Sequence, residues 1–561
     1  MFRPKLFDTL KNYSRQQFIR DSLSGLIVGI VALPLAIAFA IASGVSPEKG
    51  LVTAVIAGFI ISALGGSRVQ IGGPTGAFIV IVYGIVAQYG INGLIIATFI
   101  AGVMLIIMGV ARLGMAIKFI PYPLIVGFTS GIALIIFSSQ VKDFLGLNMG
   151  AVPADFSDKW IEYAKHLKTI NWNALILASL TLLTVFLWPK LTHKIPGSLI
   201  AIILTTLAVQ WFHLPVETIG SRFGKISSSF PHPTIPDLSM TTIRHLIQPA
   251  FTIALLGGIE SLLSAVVADG MIGGNHRSNM ELVAQGAANI FSSIFGGIPA
   301  TGAIARTATN IKNGGRTPVS GMMHALTLLL IMIFFGRWVA WIPMATLAAI
   351  LVYVAYNMSE WESFVSIAKG PKTDLPVLLT TFLLTILVDL TFAIEIGMLI
   401  AAFLFIRNMI KFSGVTALTK ELDEDRNSND SDTLEDYAIP NNVEVFEITG
   451  PLFFGAAYKF KDAIRIIEKP PKVLIIRMRQ VPIIDATGIK VIREVYKESK
   501  HRGTKLVLSE VNNAQVMEEL RTSRLLFAIG KANVTKTLQD ALNRSNDIIE
   551  DAKIHKVSQV Q

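Results

Sequence analysis

The sequence contains no cysteine in its 561 residues. That excludes disulfides, thiolate metal sites, thiol nucleophiles and iron–sulfur ligation, and it leaves the redox compartment open. Charge is also scarce: 16% of residues are Asp, Glu, Lys or Arg, against about 25% in an ordinary soluble chain. No phosphate-cradling loop, metal-ligand cluster or nucleophile triad stands out, which argues against an enzyme and against a metal or other cofactor. Nor is there a basic stripe interleaved with aromatics, which argues against nucleic acid as a partner. What fills the space is apolar: 52% of residues are hydrophobic and the mean hydropathy is +0.57. A soluble domain has nowhere to hide so much greasy area, whereas a chain embedded in lipid does.

The net charge of +10 divides unevenly. Residues 1–21 carry five basic and two acidic groups, residues 22–414 carry 22 and 15, and residues 415–561 carry 22 of each. Basic excess confined to an apolar region and its short flank is a topology signal, and it places the amino terminus in the cytoplasm. Long apolar runs fill residues 23–411, among them 23–41, 94–110, 172–188, 198–211, 317–335 and 375–387. With the short candidates near 51–64, 74–88, 281–296 and 302–313, fourteen segments can be counted, and an even number returns the chain to its starting side. The first run is an uncleaved span and not a signal peptide, because so many others follow it.

After Lys411 the character changes. Residues 421–437 hold eight carboxylates and one Arg among Asn and Ser, a solvated linker. Beyond it, 443–448 alternates, 456–468 has helical spacing, 472–478 is a short apolar run, 487–500 reads as a helix and 504–511 as a strand. Such alternation predicts a small α/β domain. The chain therefore divides into a 1–21 cytoplasmic segment, a 22–414 transmembrane domain, a 415–442 acidic linker, a 443–546 α/β domain and a 547–561 tail.

The most informative motif is an internal echo: GGPTGAF at 72–78 and GGIPATGA at 296–303, each before a short apolar segment. Gly/Pro-interrupted short segments at matching places point to an inverted-repeat transporter. A helix that starts in mid-membrane leaves its first N–H groups unpaired, with about half a positive charge there. Two such ends facing each other hold an anion without Lys or Arg. Ordinary turns between spans are the plainer alternative. Glu260, in an otherwise uncharged stretch, costs about 2.5–3.5 kcal/mol at the bilayer centre and so faces a cavity or packs neutral between helices. Ser264 lies one turn on, on the same face. Arg306 adds positive charge to the anion pocket or pairs with Glu260. Asp269, Asp389 and Glu395 read as interfacial, and His324 as a packed core histidine. In the soluble domain Asp485 is placed to cap a helix, with Thr487 in its first turn as a candidate phosphoacceptor.

These residues carry a resemblance. ALPLAIAFAIASG (32–44), GGPTGAF, IESLLSAVVADG (259–270) and GGIPATGAIARTATNIKNGG (296–315) together resemble the SulP (sulfate permease) family, and the carboxy-terminal domain resembles a STAS domain. The resemblance implies an all-α membrane domain of about fourteen spans in two inverted seven-span repeats with two half-helices, followed by a cytoplasmic α/β STAS domain. It implies a homodimer in a bacterial inner membrane, both termini cytoplasmic, that carries anions by an elevator motion, with a cytoplasmic protein as possible STAS partner. Carried over by position, Thr75, Gly76 and Ala77 cap the first half-helix and Gly302 and Ala303 the second; their N–H groups hold the anion and Phe39 walls the pocket. Glu260 matches the acidic coupling position and Ser264 a sodium-ligand position. Three departures stand out: Leu35 where animal members often have Gln, Glu instead of Asp at 260, and Ile304 where some sodium-coupled bicarbonate carriers have a hydroxyl. The first is as in bacterial members, including bicarbonate carriers; the other two alter the cation site and tilt the reading to proton coupling. The STAS motif reads Asp485-Ala486-Thr487-Gly488 where antagonists show Asp-Ser-Ser-Gly.

The expected function is secondary active transport of an inorganic anion, most plausibly sulfate with protons. A sodium- or proton-coupled bicarbonate or C4-dicarboxylate symporter is the alternative. An uncoupled anion channel and a membrane-anchored regulator are the rivals from other classes; Glu260 argues against the first and the duplicated motif against the second.

Overall fold

The computed structural model describes residues 2–115, 120–150, 152, 153, 155–191, 196–224, 231–236, 239–417, 439–465 and 469–558. It divides into two compact units, Met1–Ala401 and Ala402–Gln561. The acidic stretch 421–437 lies outside the described residues.

The first unit is helical. Its main elements are α1 (Arg15–Ala42), α2 (Pro47–Leu64), the two-residue strand β1 (Gly72–Gly73), α3 (Phe78–Val110), α4 (Tyr122–Leu145), α5 (Phe156–His166), α6 (Trp172–Leu191), α7 (Gly197–Phe212), α8 (Met240–Ile272), α9 (Ser278–Ile294), β2 (Thr301–Gly302), α10 (Ile304–Lys312), α11 (Pro318–Val339), α12 (Met344–Met358), α13 (Leu375–Leu387) and α14 (Leu390–Phe412). The starts follow ordinary chemistry: Ser14 accepts from the Gln17 N–H at the head of α1, and Pro47 and Pro318 sit in the first turns of α2 and α11. Left-handed Gly146 and Gly273 end α4 and α8.

Eight helices among the described residues are long and apolar enough to cross a membrane, and α7 and α13 are apolar but shorter. The other segments in the sequence count are α9, α10, α12 and the second arm of α3, which are short or interrupted. At Gly90 (φ 68°, ψ −175°) α3 breaks its helical course, a conformation that glycine adopts without steric cost. Its first arm, 78–89, is about 18 Å long, roughly half a bilayer core. One face of α6 buries Ala174, Leu177, Ala178, Thr181 and Val185, while Trp172, Ile176, Leu180, Leu183 and Leu187 stay exposed. An apolar face left bare over a whole helix is a lipid face.

Glycine sets how closely the inner helices approach. A Cβ built on Gly50 would lie 2.0 Å from the Ala36 carbonyl oxygen of α1. Gly102 of α3 and Gly286 of α9 face each other, each leaving space for the other's carbonyl. This small-residue packing is how helices associate tightly in lipid.

The second unit holds a five-stranded sheet, β3 (Gly414–Ala417), β4 (Val443–Thr449), β5 (Val473–Gln480), β6 (Lys505–Ser509) and β7 (Val534–Thr535), in sequential order; β3 is antiparallel to β4 and the rest are parallel. Strand alternation divides its two cores: Phe446, Ile448, Leu474 and Ile476 pack on the face of α15 (Phe454–Arg465) and α16 (Ala486–His501), and Val443, Val445, Val473 and Ile475 on that of α17 (Leu538–Ser558). Two boundaries differ from the sequence reading. Strand β3 starts at the last residue of the stretch read as transmembrane and runs into the stretch read as linker, held by main-chain pairing that composition does not reveal, and α17 continues as far as Ser558 into the stretch read as tail. Glu395 sits exposed within α14, while Asp389 caps that helix by accepting from the Phe392 N–H.

The glycine contacts yield a direct test. Gly50→Ala is expected to cost about 1–3 kcal/mol, because main chain cannot give way, and to lower the unfolding temperature of the detergent-solubilised protein. Gly270→Ala, where nothing lies within 4 Å, is expected to leave it unchanged or raise it slightly.

Candidate functional site

The two echoed motifs meet. Strands β1 and β2 pair antiparallel, Gly72 opposite Gly302 and Gly73 opposite Thr301, so that α3 and α10 set off from one crossing. Tight packing explains the glycines: a Cβ at Gly302 would collide with the Gln70 side chain, one at Gly72 with Ile61, and one at Gly73 with the Arg306 guanidinium.

Non-helical backbone at this depth has to be satisfied by protein. On one side the Ile71 N–H donates to Thr307 Oγ1 (3.0 Å), and Asn310 Nδ2 donates to the Val69 carbonyl (2.8 Å). On the other, Asn289 clamps Ala300 through both its N–H and C=O (2.9 Å each), and the Ile298 N–H donates to Thr53 Oγ1 (2.7 Å). Each loop is thus held by an amide and at least one hydroxyl, the second also by Ser292 Oγ, which donates to the Ile298 carbonyl (2.8 Å).

At the first half-helix the Phe78 and Ile79 N–H groups turn back to the Thr75 and Gly76 carbonyls. The N–H groups of Gly76 and Ala77 are left as donors at the helix start, where Ala77 is the N-cap. A side chain at Gly76 would press on Met358 Sδ (2.7 Å) and touch Phe39 and Ile136. Phe39, Met358 and Ile136 thus lie against this turn; of the three the sequence reading names Phe39 alone.

At the second half-helix one carried-over donor is committed elsewhere. The Ala303 N–H donates to the Ile71 carbonyl (2.8 Å), and Gly302 takes part in the β1–β2 pairing. The unpaired donors there are the first-turn N–H groups of Ile304, Ala305 and Arg306. Ile304 is 43% exposed, unlike the buried residues before it.

Glu260 reaches the same place from α8. One turn earlier α8 is fixed to β2, where Thr301 Oγ1 donates to the Gly257 carbonyl (2.7 Å); Glu260 Oε2 then accepts from the Thr75 hydroxyl at 2.9 Å. Ser264 is fully buried and bonds to Thr307 Oγ1 at 3.3 Å. Arg306 is 2% exposed and makes no ion pair with Glu260 among the described residues; its Nη2 donates to the Pro74 carbonyl, while Nη1 has no partner. Its charge thus lies behind the first turn. His324 is fully buried, as expected, with neither ring nitrogen hydrogen-bonded. Asp269 pairs with His276 at 2.7 Å.

A second buried carboxylate, Glu281 of α9, was missed. It accepts from the Gly66 and Ser67 N–H groups (2.8 and 3.0 Å) and from Gln285 Nε2 (3.0 Å), with Ser261 Oγ at 3.3 Å. The available signal was a polar stripe in a membrane helix: Glu281, Gln285, Asn289 and Ser292 lie on one face. In the second unit Asp485 caps α16 through the Gly488 N–H (2.8 Å) and accepts from the Phe454 N–H (3.0 Å). Thr487 is half-buried in that helix's first turn.

Comparison with known proteins agrees with this architecture. Residues 18–381 match the Sulfate permease family and residues 436–541 the STAS domain. YvdB of Bacillus subtilis (strain 168), named as a candidate sulfate transporter, is 42% identical over 523 residues, 93% of this chain and 96% of its own. The bicarbonate transporter BicA of a Picosynechococcus species is 34% identical over 457 residues, 78% of this chain and 79% of its own. The solved structure of murine Solute Carrier 26 family member A9, an anion transporter in the inward-facing state, gives a TM-score of 0.86 at 19% identity, covering 97% of this chain and 94% of that one. At that identity the likeness is one of fold.

The two carboxylates are expected to separate on mutation. Glu281→Leu leaves two main-chain donors without an acceptor and is expected to cost about 2–3 kcal/mol or more, seen as a marked drop in unfolding temperature. Glu260→Gln keeps a partner for Thr75 and is expected to stay within about 1 kcal/mol of the parent.

Proposed function

The chain belongs to the sulfate permease family, one of transporters and not of enzymes, and ends in a STAS domain; on that footing we propose that it is a secondary active carrier of a small inorganic anion, sulfate first, coupled to protons. The observation that carries the reading is the meeting of two half-helix starts at the β1–β2 crossing with Glu260 bonded to Thr75. The anion sits against the N–H groups of Gly76 and Ala77 and the first turn of α10. The two helix dipoles supply together about one unit of positive charge. Phe39 excludes water from one side.

The Thr75 hydroxyl has one proton to donate. An ionised Glu260 accepts only, so it takes that proton, and it also repels an incoming anion. A protonated Glu260 donates to Thr75 Oγ, which turns the Thr75 O–H toward the anion. Protonation therefore removes a repelling charge and creates a donor in one event. Loaded with both or with neither, the carrier moves; half-loaded, it does not.

Bicarbonate is the second reading, supported by the 34% identity to BicA; sodium at Glu260 and Ser264 is the matching alternative for coupling. The membrane is the inner membrane of a bacterium, with the basic amino-terminal flank and the STAS domain in the cytoplasm. The carrier works as a homodimer, and Thr487 is a candidate phosphorylation site for a STAS partner to read.

Proteoliposome uptake of radiolabelled sulfate and bicarbonate under a proton or a sodium gradient tests this. Sulfate accumulation that follows the proton gradient is expected. In Glu260→Gln the amide donates to Thr75 as a protonated acid would, so anion exchange should persist while gradient-driven accumulation is lost. Thr75→Val should weaken both, with Thr75→Ser recovering them. Uptake that ignores both gradients and survives Glu260→Gln would establish an uncoupled pathway instead.

A further inference from the structure

Away from the crossing, a cavity of about 770 Å³ opens where α1 and α4 end and where α5, α8 and α14 begin. It reaches down to Ile79, three residues beyond Gly76, and is walled along its length by the first arm of α3. In the orientation proposed above this is the outer mouth of the carrier.

One residue of its wall breaks the pattern of its helix. The short amphipathic helix α5 buries two residues, Lys159 and Tyr163, four apart on its inner face. Tyr163 is accounted for: its hydroxyl donates to the Ser138 carbonyl at 2.9 Å. Lys159 is 4% exposed, lines the cavity, and has no hydrogen bond or ion pair among the described residues. An ammonium group withdrawn from bulk water without an acceptor is costly. A place where a helix puts a charge on its packed face without local compensation is where function is to be sought.

The other charged groups around the cavity are accounted for. Arg222 is held by Asp143 through two bonds (2.9 and 2.6 Å) and by Glu217. Lys142 donates to the Gly150 carbonyl at 2.8 Å. Asp389 caps α14, and His245 is exposed at the start of α8. Asp155, one turn before Lys159, is exposed and makes no capping bond. Burial pulls the Lys159 ammonium below the usual lysine range, and Asp155 acts in the opposite sense. Lys159 is thus the cation of this cavity whose donors remain open among the described residues.

We propose that Lys159 forms an outer binding station for a small oxyanion, which captures the transported anion from outside before it passes to the half-helix crossing. The station supplies one ammonium with up to three donors at the cavity wall, suited to brief capture of a hydrated anion. The crossing supplies fixed main-chain donors, suited to the dehydrated one. This inference rests on the transport reading and adds a side to it: affinity from outside depends on Lys159, and affinity from inside does not.

The test is KM for sulfate, and for bicarbonate, in right-side-out vesicles, with efflux KM measured in parallel. Lys159→Met keeps the stem and removes the charge; it is expected to raise the external KM about three- to tenfold with the internal KM and kcat within about twofold. Lys159→Arg should recover the external KM. Asp155→Asn keeps a good N-cap residue while removing the opposing charge, and should lower the external KM; it carries the test should Lys159→Met fail to fold. An unchanged external KM in both Lys159→Met and Asp155→Asn, or equal changes on both sides, overturns the station and leaves the transport reading intact. Absence of any uptake of either anion by the parent protein overturns the transport reading itself.

Discussion

Main chain without water is the constraint on which the membrane unit depends. Two stretches, before α3 and before α10, leave helical geometry inside the bundle, and each of their N–H and C=O groups needs a partner that lipid does not offer. The partners come in matched sets: Thr307 and Asn310 for one stretch, Thr53 and Asn289 for the other. The β1–β2 pairing satisfies the innermost groups. With these bonds made, the main-chain donors left open around the crossing, among the described residues, are those of the two half-helix starts. The anion site proposed above is what this pattern of pairing leaves over.

In the proposed site main-chain donors do the work that a free cation would otherwise do. Arg306 is buried there, with Nη2 donating to the Pro74 carbonyl in the turn that carries Thr75 and Gly76 and with Nη1 unpartnered. Main-chain donors recognise oxyanions by geometry and cannot be neutralised by a change of protonation. Glu260, bonded to the Thr75 hydroxyl, is the neighbouring group whose charge can change. In the proposed mechanism, coupling would then require no movement larger than the rotation of that hydroxyl.

The sequence made the outline of this legible because its signals are coarse and physical. Apolar runs, the repeated TGA before each half-helix, and a carboxylate in an uncharged stretch all persist without knowledge of partners. What escaped depends on pairing. Asn289, Thr53 and Thr307 are ordinary residue types whose role exists only once a loop from far along the chain is laid against them. Glu281 was hidden for the same reason, since its partners Gly66 and Ser67 stand more than 200 residues away. The assignment of the Ala303 N–H to the anion went astray because position within a motif does not reveal that Ile71 arrives first. Strand β3 was read as linker because edge pairing is a property of the neighbouring strand β4.

The distribution of hydrogen bonds also bears on motion. Helices α1, α2, α3, α8, α9, α10 and α11 are stitched to one another through the loops of the crossing, by Ser24 to Asn310, Lys49 to Gly296, Gln70 to Ser261 and Thr317 to Asp21. Helices α4, α7 and α12 have bonds of their own set, such as Thr346 to Thr205 and Ser130 to Ser359. Between the sets the contact at the site is of a different kind: Gly76 meets Met358 and Ile136, soft apolar groups without a directional bond. Apolar surfaces of this sort can slide at small cost, whereas a wall of clamped amides cannot. Bonds that leave the first set among the described residues, such as Thr252 with Thr391 of α14 and Tyr83 with Val152, lie away from the crossing and border the cavity, where water can replace them. A set that carries both half-helix starts together, against an apolar partner, is the division that the alternating access proposed above would use. In that proposal Thr75 and Glu260 belong to the first set, and the second supplies Met358 and Ile136 as an apolar wall.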